Sequence, residues 1–396
     1  MDKILIILII ALNAKNLIFC SEINLWLRGF SEILCFIVGY LYLTLKLNKK
    51  FVFRKYLILL LYILFLYLSI INSNHKLYVF LQVMSFVGVI VFFIAYSNWV
   101  QKCERDTTVF FKTTFLCYLF ICLAGLFVAK FYPTIGYRWV GDVRRFVGIF
   151  GKPGILSVSA GLLCGIALFG YHNNYLKLFA FTIGLCCILL SLSRTYWVAF
   201  LFAILSTYIR YYRLNFKMIV CLSYVLILII LSTFVLNFER TKIIVWDLLR
   251  AESLKTLSGR VDIWKFAINR CKDNIFGLGF TAGGDILANM KTNAFPKLAD
   301  HYAYRLKLHS GFIQSLCDIG LIGSIFYVLI IISAFILLFM KDKQRQLRLE
   351  FFCLVFLTVT NFAETTILSV ATFHSIVFWF IYIYLLELEY SQSKGV

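Results

Sequence analysis

The chain has 396 residues, 62% of them hydrophobic and only 15% charged, yet its formal net charge is +20. A soluble domain carries about 25% charged residues, so this composition excludes an ordinary water-soluble enzyme and points to a protein of the bilayer. The apolar residues fall in runs of roughly 17–25, the length that crosses a hydrocarbon core.

In chain order the predicted spans are 3–20, 26–46, 53–72, 77–97, 109–129, 154–170, 176–191, 195–209, 217–237, 311–340, 349–364 and 367–388. The expected fold is an all-α polytopic membrane protein, a single integral membrane domain over 1–396 with about 12 transmembrane helices, because a lone segment in lipid must satisfy its own backbone. Asn13, Lys15 and Asn16 interrupt the first apolar stretch, which therefore reads as a poor first span rather than a signal peptide.

Short basic loops set the orientation. Lys46, Lys49, Lys50, Arg54 and Lys55 join the second and third spans, and Lys102, Arg105 and Lys112 join the fourth and fifth. Arg210, Arg213 and Lys217 join the eighth and ninth, and Lys341, Lys343, Arg345 and Arg348 the tenth and eleventh. With alternating spans all four clusters fall on one side, which the positive-inside rule makes cytoplasmic. Both termini are then expected in the cytoplasm.

Two larger loops lie on the opposite, outer side, at 130–153 and 238–310. The longer one is rich in Lys and Arg. Long loops escape the positive-inside rule, so this charge points to an anionic partner outside rather than to nucleic acid. Within it, Val261, Ile263, Trp264, Ala267, Ile268 and Cys271 recur at helical spacing and predict an amphipathic helix. The twelve cysteines show neither zinc-type spacing nor a disulfide framework and read as small apolar packing residues.

Four outer segments could carry chemistry. Arg144-Arg145-Phe146-Val147-Gly148 leads through Lys152-Pro153-Gly154 into the sixth span, where glycines and a helix N-terminus suit an anion. The plainer reading is a tight loop whose arginines touch lipid headgroups. Ser191-Leu192-Ser193-Arg194 places Arg194 at the membrane boundary, to snorkel or to grip phosphate with its planar fork. Ser258-Gly259-Arg260 opens the amphipathic helix, where Arg260 by itself reads as a solvated charge, and Gly277-Leu278-Gly279 follows. Leu308-His309-Ser310 enters the tenth span, and Ser310, Gln314 and Asp318 give that helix a polar face that should turn to a cavity or a neighbouring helix. His309 stands at its mouth. A lone histidine is more often structural, but this side chain is also the one most easily poised as a base. P-loop, dinucleotide and HExxH motifs are lacking, so nucleotide-driven chemistry and metal hydrolysis find no support.

Taken in order, Arg-Phe-x-Gly, Ser-x-Ser-Arg, Gly-Arg-x-x-x-Trp, Gly-x-Gly and His-Ser before Gly-Leu-Ile-Gly (320–323) resemble the bacterial O-antigen polymerase and O-antigen ligase superfamily. The resemblance covers about 140–325 by motif and the whole chain by topology. It implies a GT-C-like, metal-independent membrane glycosyltransferase of lipopolysaccharide biosynthesis that needs no cofactor and sits in the bacterial inner (cytoplasmic) membrane, which would make the loops at 130–153 and 238–310 periplasmic. Its donor would be a glycan on undecaprenyl pyrophosphate, met at the periplasmic face among membrane lipid, with a chain-length regulator and a flippase as partners. By resemblance Arg194 and Arg260 match the family's functional arginines and His309 its essential histidine, while Arg144, Arg145, Lys152 and Arg305 would bind pyrophosphate or glycan. The ligase branch often has His-Asn where this chain has His309-Ser310, which leans toward the polymerase. The alternatives are an O-antigen ligase, which transfers the polysaccharide to lipid A–core, and a transporter of lipid-linked sugars. The last is weakened by the lack of a visible internal repeat.

Overall fold

A helix that is apolar all the way round is stable only where every face meets protein or lipid, and several stretches of this chain are of that kind. The computed structural model describes residues 1–14, 21–46, 53–103, 107–140, 143–150, 152–170, 174–212, 260–272, 274–280, 308–368, 372 and 374–388. Its elements are α1 (Asp2–Ala14), α2 (Ser21–Lys46), α3 (Leu57–Leu68), α4 (Lys76–Lys102) and α5 (Thr108–Phe131). A hairpin of β1 (Tyr137–Val140) and β2 (Val143–Phe146) comes next, then α6 (Pro153–Phe169), α7 (Asn174–Leu190) and α8 (Arg194–Tyr211). Beyond the predicted span 217–237, which lies outside the described residues, come α9 (Arg260–Cys271), α10 (Gly311–Lys341), α11 (Arg348–Ala363) and α12 (Ser375–Glu387).

Among the described residues, α4, α5 and α10 are long and apolar enough to cross a membrane by length and composition. Gly29–Leu45 of α2, together with α6, α7 and α12, are shorter apolar helices. The fold is thus helical and membrane-like, while the count of 12 spans rests on the sequence. One boundary differs from expectation: α12 begins at Ser375 rather than 367, while 15–20 of the first predicted span lie outside the described residues. The shift has a cause: Ile367 N donates to Asn361 Oδ1 at 3.2 Å, and Trp379 Nε1 donates to Ile367 O at 3.2 Å, which holds 366–368 in a turn. The loop predicted at 130–153 contains the antiparallel hairpin, with Tyr137 opposite Phe146 and Arg138 opposite Arg145.

The interior is aromatic where α3, α4, α10 and α12 meet. The Tyr62 ring stacks 6.0 Å from Trp379 and 6.1 Å from Tyr327, and Phe86 meets Trp379 edge-on at 4.9 Å. Such pairs add about 0.5–1.5 kcal/mol beyond area burial. On α6, Gly161 and Gly165 admit the rings of Phe356 and Phe352 of α11 into the space a Cβ would fill, so the two helices approach closely.

Polar ties gather at the two ends of the bundle. At one end Tyr96 donates to Asp2 (3.1 Å), Lys55 pairs with Glu387 (2.9 Å) and Arg348 donates to the Tyr212 hydroxyl (2.9 Å). There too Asp342 accepts from the Tyr211 hydroxyl and lies 3.7 Å from Arg210. Lys55, Arg210 and Arg348 belong to the basic clusters that define the expected cytoplasmic side.

At the opposite end α10 is broken. Gly320 has φ 74° and ψ −178°, which splits the element into a short outer half and a long apolar one. The segment Gly277-Leu278-Gly279 crosses this break. Leu278 N donates to Cys317 O (2.8 Å) and Gly279 N to Asp318 O (3.0 Å), so carbonyls at the broken turn find donors. Gly277 (φ 74°) and Gly279 (φ 112°) both adopt left-handed backbone. A Cβ on Gly277 would stand 2.5 Å from the Asp318 carbonyl, and one on Gly320 would strike Ile275 O. Asn72 Nδ2 to Gly277 O (3.3 Å) and Phe280 N to Ser69 Oγ (3.2 Å) tie the segment to the α3–α4 turn.

Candidate functional site

α9 is the amphipathic helix expected in the long loop. Ile263, Ala267 and Cys271 recur every four residues, and with Leu308 and Cys317 they form a small second core. Ile268, expected on the same apolar face, is exposed. The helix thereby docks on the outer half of α10, and this docking fixes its first residue, Arg260, over the entry to α10.

That entry is a tightly held turn. Leu308 O accepts from Trp264 Nε1 (2.9 Å), and Leu308 N donates to Gln314 Oε1 (2.9 Å). Ser310 caps the helix, accepting from Ile313 N at 3.5 Å. Between them His309 adopts φ 53°, a left-handed conformation that costs a non-glycine residue about 1–3 kcal/mol and that clusters at functional sites. The polar face of α10 closes on itself: Gln314 Nε2 donates to Asp318 Oδ1 at 2.7 Å, and Gln314, Asp318 and Ser310 are all buried. Their role is to hold the turn that presents His309.

The residue that unites the site is Glu364, just past the end of α11. Its Oε1 lies 2.8 Å from Arg260 Nη2 and its Oε2 3.1 Å from His309 Nδ1. Arg260 Nη1 also donates to Ala363 O, and Glu364 O accepts from Gly311 N at 3.1 Å. One carboxylate therefore joins the arginine and the histidine. Burial would raise the Glu364 carboxyl, but the hydrogen bond and charge of His309, with those of Arg260, outweigh it and hold the group below its usual value. The side chains of Arg260 and Glu364 are 23% and 22% exposed and that of His309 47% exposed, so the histidine is the open member. With Nδ1 engaged by the carboxylate, Nε2 is the nitrogen left to meet a ligand.

The other predicted residues are placed as follows. Arg194 opens α8, two residues before Tyr196, whose hydroxyl stands 3.2 Å from where a Cβ of Gly154 would be. Tyr196 is within electrostatic reach of both Glu364 and Arg260, so α6 and α8 begin beside the Arg260–Glu364–His309 group. Lys152 is exposed, immediately before Pro153 at the start of α6. Arg144 folds back on its own hairpin, donating to Pro133 O at 3.0 Å and lying over the Tyr137 ring. Arg145 is partly buried on the other strand face, opposite Arg138. Arg305 lies outside the described residues. The hairpin is anchored by Phe146, which is fully buried, while Gly148 (φ 57°) passes against Gly125.

Glu364 escapes sequence reasoning because it terminates a predicted span and belongs to no motif. Its available signal was chemical: a carboxylate at the end of a predicted span in a chain with 39 basic and 19 acidic residues.

Residues 178–328, less than half of the chain, match a family model described as O-antigen ligase. No curated protein matches. The matched segment contains Arg194, Arg260 and His309; Glu364 falls beyond it.

Proposed function

We propose, from the match of the segment carrying Arg194, Arg260 and His309 to a family model described as O-antigen ligase, that the chain is a membrane glycosyltransferase working on a polyprenyl-pyrophosphate-linked glycan. The observation that carries this reading is the Glu364 carboxylate bound to both Arg260 and His309. Breaking a sugar–pyrophosphate bond gathers negative charge on the leaving group, and fixed guanidinium groups stabilise it without reorganisation. Arg260 commits two nitrogens to Ala363 O and Glu364, and the rest of its five-donor fork remains for phosphate oxygens. Arg194, at the adjoining helix start, would share that task, with Lys152 farther along the rim.

In the proposed step, His309 Nε2 takes the proton from an acceptor sugar hydroxyl as its oxygen attacks the anomeric carbon and the pyrophosphate departs. Glu364 holds the ring by Nδ1 and offsets the positive charge it gains, the role of the carboxylate in a serine–histidine–aspartate triad. Placement of this group at one end of the bundle supports an enzyme over a transporter, whose substrate groups sit near the membrane midplane.

We assign the polymerase reaction, joining lipid-linked repeat units at the periplasmic face, on the His309-Ser310 sequence. The family match supports the ligase reading equally, since the two reactions share donor and site. Ser310 serves as a helix cap, and Asn caps equally well, so the discriminating evidence is the acceptor. Deletion of a polymerase leaves core bearing a single repeat unit, and deletion of a ligase leaves bare core. His309→Ala is expected to cut transfer by about 10²–10⁴-fold, the usual worth of a general base, with membrane insertion retained. Surface polysaccharide of unchanged length and amount in that variant would overturn the assignment.

A further inference from the structure

Cys271 ends α9 and Cys317 lies in the outer half of α10, so the two come from distant parts of the chain. Both are buried in the small second core that docks α9. Cys317 Sγ is 3.6 Å from Ala267 O, one helical turn before Cys271 on the same face, and the two cysteines, free thiols in the structure, pack in the same small cluster. A second pair of neighbours, Cys122 and Cys187, with Cys187 Sγ 3.9 Å from Cys122 O, belongs to the apolar helices α5 and α7 and lies fully buried among their side chains. Cys271 and Cys317 differ in position: they sit at the end of the bundle that bears Arg260 and His309, on the element with the smallest core.

We infer that Cys271 and Cys317 are joined as a disulfide in the mature protein, tying the helix that begins with Arg260 to the half-helix that follows His309. The inference rests on the reading that this end faces the periplasm, where disulfides persist. Outer elements too small to bury a large core commonly rely on such links. The reaction balances as thiol–disulfide exchange: the two thiols give up two protons and two electrons to the disulfide of a periplasmic oxidant, the Sγ–Sγ bond forms, and the oxidant leaves as a dithiol. It takes place while the loop folds, before the core closes over the sulfurs. The consequence is mechanical: the tie fixes the reach of Arg260 to Glu364 and His309.

The test uses the full-length protein in cells dissolved directly in SDS with N-ethylmaleimide, which blocks every free thiol. After reduction, a polyethylene-glycol maleimide reports former disulfides by gel shift. The expected result is two adducts per chain in the wild type and none in Cys271→Ala or Cys317→Ala. Absence of the shift in the wild type overturns the inference. So does a shift that appears only after membranes are treated with copper–phenanthroline, since the thiols are then adjacent yet stay reduced in the cell. Lys265→Cys, on the exposed face of α9, separates this from an error of orientation. Labelling of that variant by an impermeant maleimide on spheroplasts, with no native shift, sinks the disulfide alone. Failure to label overturns the periplasmic reading, and the disulfide with it.

Discussion

Glu364 is where the chemistry proposed above is most sharply exposed to experiment. Glu364→Gln keeps the size and an acceptor oxygen but removes the charge that faces Arg260 and His309. Turnover should fall by between about 10- and 10⁴-fold, the upper figure being that of triads whose orienting carboxylate is lost, while KM for the lipid-linked donor changes little. A loss confined to KM would make Glu364 a binding residue instead. The same group gives a pH dependence of stability. Its carboxyl is held below the usual value in the folded protein, so over the interval between that lowered value and the ordinary one near 4.5 the unfolded chain binds more protons. The carboxylate's stabilising contribution is fully present above the ordinary value and is lost as pH falls through the lowered one. Thermal melting across that interval should show this decline in the wild type and a shallower one in Glu364→Gln. His309 was legible in the sequence because it stands before a polar helix face. Glu364 was not, because nothing local marks a residue whose partners lie 55 and 104 positions away.

Among the elements, the crossing of Gly277-Leu278-Gly279 over the break in α10 decides whether the site is assembled. Gly320→Ala would drive a Cβ onto backbone at Ile275 and force a left-handed conformation on an L side chain, a strain of about 1–3 kcal/mol before any clash. We expect a markedly lowered melting temperature and loss of transfer together. Gly29→Ala, where nothing lies within 4 Å of the new methyl group, should leave both unchanged. The glycine pairs were visible as sequence motifs, but their meaning was not: hydropathy sees one apolar run through 311–341, and φ is invisible to it. α9 was better foretold, since its buried positions follow helical spacing and are fixed by the same periodicity that any amphipathic helix obeys. The hairpin at 137–146 was hidden because its strands, four residues each, are too short to show alternation above their arginines.

For the molecule as a whole, the two ends divide the labour, and substitutions should separate accordingly. Asp342 accepts from Gln346 N (2.7 Å), Leu347 N (3.0 Å) and the Tyr211 hydroxyl, and lies near Arg210, far along α10 from His309. Asp342→Ala strips these partners and should destabilise by about 1–3 kcal/mol, read as a lower melting temperature with transfer per folded molecule preserved. The helical, membrane-like character was legible because length and apolarity are properties of whole segments; the fastening of one end to chemistry was not, because it depends on which distant loops meet. That fastening bears on how this molecule can be recombined. The matched segment 178–328 carries Arg194, Arg260 and His309 but leaves Glu364 behind. Grafting only that segment of this chain into another protein would separate Arg260 and His309 from their carboxylate. Moving the crossover point beyond α11 and Glu364 transfers all three together, and the unit of exchange is therefore set by a salt link rather than by the boundary of the matched segment.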